Sequence, residues 1–180
     1  MRRTASVLET LSAAAFRVAA WGAMASVLLM VAVALWQVVA RYALDQPPPW
    51  TEELARYSMV WVGLLGASCA FRANSDPTLF PAMRDVGGAG GAILSLIRTL
   101  GVLAFIGPII WFCLFGRGGD IARGYLARMA GREALTMDVP MIVFAAAIPI
   151  SFIFILVHLL AQLAADVGRV AEPATFEEPT

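Results

Sequence analysis

Four long stretches without a charged residue constrain the fold of this chain more than any other feature. The first, residues 18–40, holds 23 uncharged residues between Arg17 and Arg41. A helix of that length, at about 1.5 Å per residue, exceeds a hydrocarbon core of roughly 30 Å. A charge at the centre of a spanning helix costs about 2.5 to 3.5 kcal/mol, so charges mark where spans end. The pattern predicts a membrane protein, in agreement with a composition that is 60% hydrophobic and 14% charged.

The other three stretches follow the same rule. Residues 57–71 give only 15 uncharged positions, and a helix that begins near Thr51 reaches the required length. Because four crossings return the chain to its starting side, residues 1–17 and 166–180 lie on one side of the membrane, and the tail is expected to be disordered. We therefore predict an all-α membrane protein whose domain, residues 18–165, has spans at about 18–40, 51–71, 99–116 and 139–165.

Two segments between the spans are predicted to be surface elements. Residues 86–97 form either an interfacial helix or the start of the third span, and the sequence leaves both open. Residues 120–129 place Ile121, Tyr125 and Met129 on one helical face. This pattern is typical of a short amphipathic helix that lies on the membrane, and it fits a solvated loop helix equally well.

The charges argue against nucleic acid as a partner. Thirteen acidic residues balance thirteen basic ones, all of them arginine, so the chain carries no net field. The arginines do not orient the chain either, since seven would lie on the side of the termini and six on the other. We expect no binding to nucleic acid, and charge alone leaves the topology open.

Catalytic and metal-binding motifs are missing from the sequence. Cys69 and Cys113 are too few for a disulfide framework or a cysteine-rich zinc site. His158 alone cannot supply two axial haem ligands, and it is expected to be a packed or interfacial residue. The sequence has no phosphate-binding loop and no nucleophile near a histidine base. We therefore expect no catalytic residue, no metal and no cofactor.

The most informative segment connects the first two spans. Three prolines, residues 47–49, end the first helix. A second helix then begins, with Thr51 as its predicted N-cap. Glu52 and Glu53 lie in its first turn, and Glu52 precedes Arg56 by four residues. The carboxylates either cap the helix and pair with the arginine, or bind a cation or a partner protein at the membrane boundary.

Aromatic and small residues follow along the second helix. Trp50, Tyr57 and Trp61 recur at helical spacing, and Trp and Tyr are enriched at membrane boundaries. Small residues further along recur at spacings that let helix backbones approach closely in lipid. These residues are Gly63, Gly66, Ala67 and Ala70. Their spacing does not tell whether they pack against this chain or against another protein.

The order of these features resembles the small membrane subunit of tripartite ATP-independent periplasmic (TRAP) transporters. The matching residues are Arg41-Tyr42, Trp50-Thr51-Glu52-Glu53-Leu54-Ala55-Arg56-Tyr57, Trp61, Gly66-Ala67 and Phe71-Arg72. The later runs 134–140 and 147–150 are similar to the start of that family's fourth helix. The chain departs from the family at residues 74–79, where other members often carry a His-Ile pair. The resemblance covers roughly residues 18–165.

This resemblance implies a non-catalytic subunit beside a large permease subunit that holds the sodium and substrate sites. A periplasmic binding protein delivers the substrate, typically an organic acid anion. Both termini then face the cytoplasm of a bacterial inner membrane. The loops 41–56 and 117–138 face the periplasm, where their arginines are available to an acidic surface of the binding protein.

Roles within the motif follow from this assignment. Glu52, Glu53 and Arg56 are expected to fix the geometry of the first loop. Arg41 and Trp50 are expected to anchor that loop at the lipid headgroups. The full predicted interface motif is Arg41, Trp50, Glu52, Glu53, Arg56, Tyr57, Trp61 and Arg72.

Two other functions stay open on the residues alone. A quinone-linked membrane oxidoreductase subunit would need redox cysteine pairs or haem-ligating histidines. A self-contained four-span structural protein would use the same packing faces without a larger partner. The transported substrate cannot be read from this chain, since the groups that select it are expected on other chains.

Overall fold

The computed structural model describes residues 2–73, 88–116 and 118–171. This part of the chain is helical apart from its connecting turns and one isolated antiparallel bridge between Glu133 and Pro140. The elements are α1 (Arg2–Ala43), α2 (Pro49–Arg72), α3 (Gly88–Leu114), a 3₁₀ turn (Ile121–Arg123), α4 (Tyr125–Ala130), α5 (Ile142–Ala145) and α6 (Ala147–Ala171).

Four helical segments are long and apolar enough to cross a membrane. They are Ser6–Ala43, Pro49–Arg72, Ile93–Leu114 and Ile142–Asp166. The prediction of an all-α membrane protein with four spanning helices is therefore confirmed. The tail predicted to be disordered was residues 166–180, and this prediction was wrong for residues 166–171, which form the last turns of α6. Residues 172–180 lie outside the described residues, as do residues 74–79.

The helices extend beyond the charge-free stretches, because a charge on an exposed face limits burial in lipid and does not end a helix. α1 continues through Glu9 and Arg17, both of which are exposed. α3 begins at Gly88 and runs without a break to Leu114. The described part of residues 86–97 is therefore the start of the third long helix, which decides between the two alternatives left by the sequence.

The fourth span contains a break near its start. α5 ends at Ala145, and α6 begins at Ala147 after a single turn residue. Pro149 lies in the first turn of α6, where a missing N–H removes no hydrogen bond within that helix. The N–H of Ile150 donates to the carbonyl of Ala146 over 3.1 Å, so hydrogen bonding resumes immediately after the break.

Three of the four long helices pack against one another, and the fourth packs along one of them. α1, α2 and α6 pack against one another, while α3 packs along α6. α1 and α2 approach each other closely at Gly22 of α1, where an added Cβ would lie 2.8 Å from Cδ1 of Leu65 in α2. An added Cβ at Gly63 or Gly66 would meet nothing within 4 Å. These two predicted packing residues therefore do not bring the described helices of this chain together.

A tight turn connects α3 to α4. The N–H of Gly116 donates to the carbonyl of Asp120 over 2.9 Å, and the Asp120 carboxylate accepts from the N–H of Ala122 over 3.0 Å. A methyl group at Gly124 would collide with the carbonyl oxygen of Leu114. The predicted helix over residues 120–129 was wrong in one respect: the chain breaks at Gly124 into a 3₁₀ turn and α4.

Candidate functional site

A buried carboxylate lies where the first helical turns of α2 meet the segment before α5. Glu53 is only 3% exposed. Its Oε1 accepts the N–H of Leu135 over 2.9 Å, and its Oε2 accepts the N–H of Thr136 over 2.7 Å and the hydroxyl of Thr136 over 2.5 Å. The hydroxyl of Tyr57 donates to Oε1 over 2.9 Å. A buried carboxylate needs such donors, and here all four come from protein groups. We call Glu53, Tyr57, Leu135 and Thr136 the Glu53 cluster.

The segment held by Glu53 is itself closed by backbone hydrogen bonds. The N–H of Ala134 donates to the carbonyl of Val139 over 2.9 Å, and the N–H of Met141 donates to the carbonyl of Arg132 over 2.8 Å. We call residues 132–141 the hairpin loop. These two hydrogen bonds across the loop, together with the Glu53 carboxylate, fix the position of its tip.

Tyr57 joins α2 to the fourth span as well as to Glu53. Its ring stacks on the ring of Phe144 in α5, with centroids 4.1 Å apart and planes 18° apart. Its hydroxyl oxygen also lies 3.3 Å from the sulfur of Met141. The aromatic residue predicted from boundary enrichment therefore has a packing role inside the bundle, in addition to any role at the lipid surface.

The start of α2 differs from the sequence-based prediction. The helix begins at Pro49, and Pro48 is its N-cap, because proline is well suited to the first helical position. Thr51 is therefore inside the first turn and is not the N-cap. Its buried hydroxyl donates to the carbonyl of Pro48 over 2.7 Å.

The two adjacent glutamates have different environments. Glu53 is buried, whereas Glu52 is exposed, as neighbouring residues on a helix point about 100° apart. Arg56 is exposed too, and in the described part of the chain no ion pair joins it to Glu52. The interpretation in which the carboxylates pair with Arg56 was therefore wrong. Glu53 holds the hairpin loop instead, which connects the third and fourth spans.

The remaining motif residues at this end are more open. Arg41 lies exposed in the last turn of α1, where a cation is favoured by the helix dipole. Trp50 is exposed in the first turn of α2, and Trp61 is half-buried further along the same helix. Arg41 and Trp50 lie near the two ends of the turn over residues 44–48, and their role as anchors at the membrane boundary stays a prediction.

A second polar cluster lies at the opposite end of the bundle. Arg72, in the last turn of α2, donates to the hydroxyl oxygen of Ser12 in α1 and to Oε1 of Glu9, the latter over 2.8 Å. Ser12 Oγ lies 2.8 Å from Nδ1 of His158 in α6. Because arginine can only donate, the Ser12 oxygen accepts from Arg72 and its hydrogen is left for His158. We call these four residues the Arg72 cluster.

The same end also connects α3 to the rest of the bundle. Arg98 of α3 donates to Oε1 of Gln162 in α6 over 2.6 Å, and Nε2 of Gln162 donates to the carbonyl of Phe71 in α2 over 3.2 Å. Ser95 of α3 donates to Oδ2 of Asp166 over 2.5 Å. Polar side chains therefore link all four spanning helices at this end. The signal in the sequence was the occurrence of Ser, Gln and His inside apolar helices, which did not reveal the partners.

The part of the chain that the structure describes contains neither an assembled metal site nor a pair of bonded cysteines. Within residues 2–73, 88–116 and 118–171, no group of three or more His, Cys, Asp or Glu side chains comes together in a way that could hold a metal ion. Cys69 is half-buried, Cys113 is buried, and both are free thiols.

Four apolar helices joined by polar clusters at both ends define a multi-pass membrane protein. A family model described as the DctQ component of tripartite ATP-independent periplasmic transporters matches residues 30–169. The chain belongs to this family, and the family resemblance predicted from the motif over residues 41–72 is confirmed. It is a TRAP transporter small permease subunit, which places it among transporter components.

A curated relative supports the same assignment. The chain is 34% identical over 83 residues to the sialic acid TRAP transporter small permease protein SiaQ of Vibrio cholerae serotype O1. The alignment covers 45% of this chain and 47% of that protein, so the chain spans about half the length of the relative it matches. Membership of the family favours the transporter assignment over the two alternative functions that the residues alone had left open.

Proposed function

We propose that this chain is the non-catalytic small subunit that supports a large permease subunit in a bacterial inner membrane. In the proposed complex it also helps a periplasmic binding protein to dock, for sodium-driven uptake of an organic acid. Membership of the TRAP family supports the assembly. The observation that carries the supporting role is the Glu53 cluster, because a buried carboxylate with four protein donors fixes one end of the bundle.

The open face of α2 supports contact with another membrane protein. Gly63 and Ala67 are exposed, and an added Cβ at Gly63 or Gly66 would be in open space. Small residues allow close approach of helix backbones in lipid, where the hydrophobic effect does not drive helices together. In the proposal, a helix of the large subunit lies against this face.

The arginines near the Glu53 cluster support the docking of a soluble partner. The exposed arginines that the structure describes at this end are Arg41, Arg56, Arg123, Arg128 and Arg132. Of these arginines, only Arg123 forms an ion pair within the described residues, with Asp120 at 3.4 Å. Exposed charges mainly steer association and set its salt dependence. In the proposal, the loops 41–56 and 117–138 therefore lie on the periplasmic side, and both termini lie in the cytoplasm.

Co-purification tests the proposal. The full chain carries an affinity tag and is expressed with a large TRAP permease subunit from the same organism, and the complex is extracted in mild detergent. We expect the two proteins to elute together in a defined ratio. The matched variants are Gly63→Leu, which fills the open face of α2, and Gly131→Leu, which is away from it. Loss of the large subunit with Gly63→Leu alone supports the proposal, and a chain that elutes alone in wild-type form contradicts it.

A further inference from the structure

The imidazole of His158 has an unsatisfied nitrogen in the interior of the bundle. His158 is 0% exposed and lies within the fourth span. Its Nδ1 lies 2.8 Å from Ser12 Oγ, whereas its Nε2 has no hydrogen-bond partner within the described residues. A buried polar atom without a partner costs free energy, so the surroundings of this nitrogen call for a ligand.

The Arg72 cluster determines which nitrogen of His158 carries the proton. Arg72 can only donate, and it donates to the hydroxyl oxygen of Ser12. The Ser12 hydroxyl then donates to Nδ1 of His158, which acts as the acceptor of a neutral imidazole. The proton of the ring is therefore on Nε2, and the unsatisfied group is an N–H donor that lacks an acceptor.

A second unsatisfied group lies on the neighbouring helix α2. Ser68 is 0% exposed, and its hydroxyl has no hydrogen-bond partner within the described residues. Ser58 of the same helix differs, because its hydroxyl donates to the backbone carbonyl of Leu54 over 2.8 Å, a common arrangement for serine in a helix. Ser68 makes no such bond, so its hydroxyl is available to a ligand in the interior.

The register of the helices brings the two groups to one level. α2 and the fourth span run in the same direction, because they meet both near their starts and near their ends. Near the ends, Gln162 donates to the carbonyl of Phe71. Ser68 precedes Phe71 by three residues and His158 precedes Gln162 by four, a difference of about 1.5 Å along the helix axes.

The two groups also lie on facing sides of their helices. Ser68 precedes Arg72 by four residues, which places both on one face of α2. Arg72 and His158 in turn contact the same hydroxyl, that of Ser12 in α1. Both unsatisfied groups therefore lie in the core where α1, α2 and α6 pack together.

The chemistry of this position favours a small neutral ligand. The ligand accepts from the N–H of His158, which disfavours a cation. The charge of Arg72 is already paired with Glu9 over 2.8 Å, so no unpaired charge is present to attract an anion. Water both accepts and donates, and buried waters are typically held by two to four polar groups that lack other partners.

From these observations we propose that one internal water molecule is bound in the core between α1, α2 and α6, where it accepts from Nε2 of His158 and bonds to the hydroxyl of Ser68. The water extends the Arg72 cluster and links α2 to α6. Ser12 is a positioning residue for this site, because its donation to Nδ1 leaves the proton on the nitrogen that faces the water. The inference is independent of the proposed pairing with a large subunit.

Solid-state NMR of the full chain in lipid bilayers tests the water directly. His158 is the only histidine in the sequence, so ¹⁵N-histidine labelling gives the signals of one imidazole. We expect Nδ1 to give the shift of an unprotonated nitrogen and Nε2 that of a protonated one. Magnetisation that starts on water should reach the Nε2 proton at short mixing times, although the residue is 0% exposed. A protonated Nδ1, or the absence of early transfer in the wild-type chain, overturns the proposal.

Two matched variants of α2 test the part played by Ser68. Ser68→Val fills the position of the water and removes the hydroxyl, so early transfer to His158 should fall at least about threefold. Ser58→Val changes a similarly buried serine whose hydroxyl bonds to its own helix, and transfer should stay as in wild type. Equal transfer in the two variants contradicts the site. The wild-type measurement decides the matter by itself if Ser68→Val does not fold.

The positioning role of Ser12 has its own readout. Ser12→Ala removes the donor to Nδ1, and the ¹⁵N signal of Nδ1 should move toward that of an unbonded nitrogen. Thr10→Ala, which alters an exposed hydroxyl on the same helix, should leave the signal in place. An unchanged Nδ1 signal in Ser12→Ala contradicts the donation from Ser12.

Discussion

Glu53 near the start of α2 accepts hydrogen bonds from both the N–H and the hydroxyl of Thr136, which lies 83 residues further along the chain. This contact joins the second span to the loop that precedes the fourth. It makes Glu53 a structural residue, whereas its exposed neighbour Glu52 is available to other proteins.

The two glutamates provide a matched pair for a first prediction. Glu53→Gln replaces one acceptor oxygen by an NH₂ group that faces the N–H donors of the hairpin loop. We expect the unfolding temperature in detergent to fall by roughly 5 °C. Glu52→Gln should leave it unchanged within error, because exposed substitutions have small effects. Equal unfolding temperatures for the two variants would show that the Glu53 contacts add no stability.

Replacing both acids extends this prediction to function. Glu52→Ala with Glu53→Ala should lower the yield of the complex or the rate of uptake, because the hairpin loop loses its attachment. The order of preference among substrates should not change, since the selecting groups are expected on other chains. Competition between labelled organic acids in proteoliposomes measures this order. A changed order would mean that the acids touch substrate.

Tyr57 separates a hydrogen bond from a ring stack. Tyr57→Phe keeps the stack on Phe144 and removes the hydroxyl that donates to Glu53. We expect a loss of about 1 kcal/mol in the free energy of unfolding, measured by denaturant titration in mixed micelles. Tyr42→Phe, at an exposed position on α1, is the control and should be neutral. A neutral Tyr57→Phe would show that the hydroxyl contributes nothing.

Ser12 tests the Arg72 cluster at the other end of the bundle. Ser12→Ala removes the group that joins Arg72 to Nδ1 of the buried His158. Leaving buried polar atoms without partners costs about 1 to 3 kcal/mol, so a clear loss of thermal stability is expected. Thr10→Ala alters an exposed hydroxyl on the same helix and should have little effect. Similar melting curves for both variants would contradict a stabilising role for the cluster.

The turn between α3 and α4 gives a steric prediction. Gly124→Ala places a methyl group against the carbonyl oxygen of Leu114, which is backbone and cannot move aside cheaply. We expect a loss of about 1 to 3 kcal/mol in stability, as for overpacking elsewhere. Gly131→Ala meets nothing within 4 Å and should be neutral or slightly stabilising. Thermal unfolding of the two variants side by side decides the matter.

Much of the fold could be predicted because lipid imposes a simple rule on charge. The window between Arg17 and Arg41 predicted the first span from its length and lack of charge, and the motif around Glu52 and Glu53 predicted the family. The positions of the helix ends were predicted less accurately. Thr51 is an ordinary capping residue, and the preference of Pro49 for the first helical position moved the N-cap of α2 three residues earlier, from Thr51 to Pro48.

The contacts of the site could not be predicted, because they depend on the register between distant helices. Glu53 and Thr136 are 83 residues apart, and nothing local to either identifies the other. Ser12 and His158 are 146 residues apart and meet only because α1 and α6 pack against each other. The spacing of Gly63 and Gly66 predicted close packing without naming the partner, and in the described residues an added Cβ at either position would meet nothing within 4 Å.

Uptake by reconstituted vesicles tests most directly whether this chain is a supporting subunit. Proteoliposomes are prepared with this chain alone, with the large permease subunit alone, and with both, and each receives a sodium gradient, the binding protein and a labelled organic acid. We predict uptake only when both membrane subunits are present. Sodium-driven accumulation in vesicles that contain this chain alone would contradict the account.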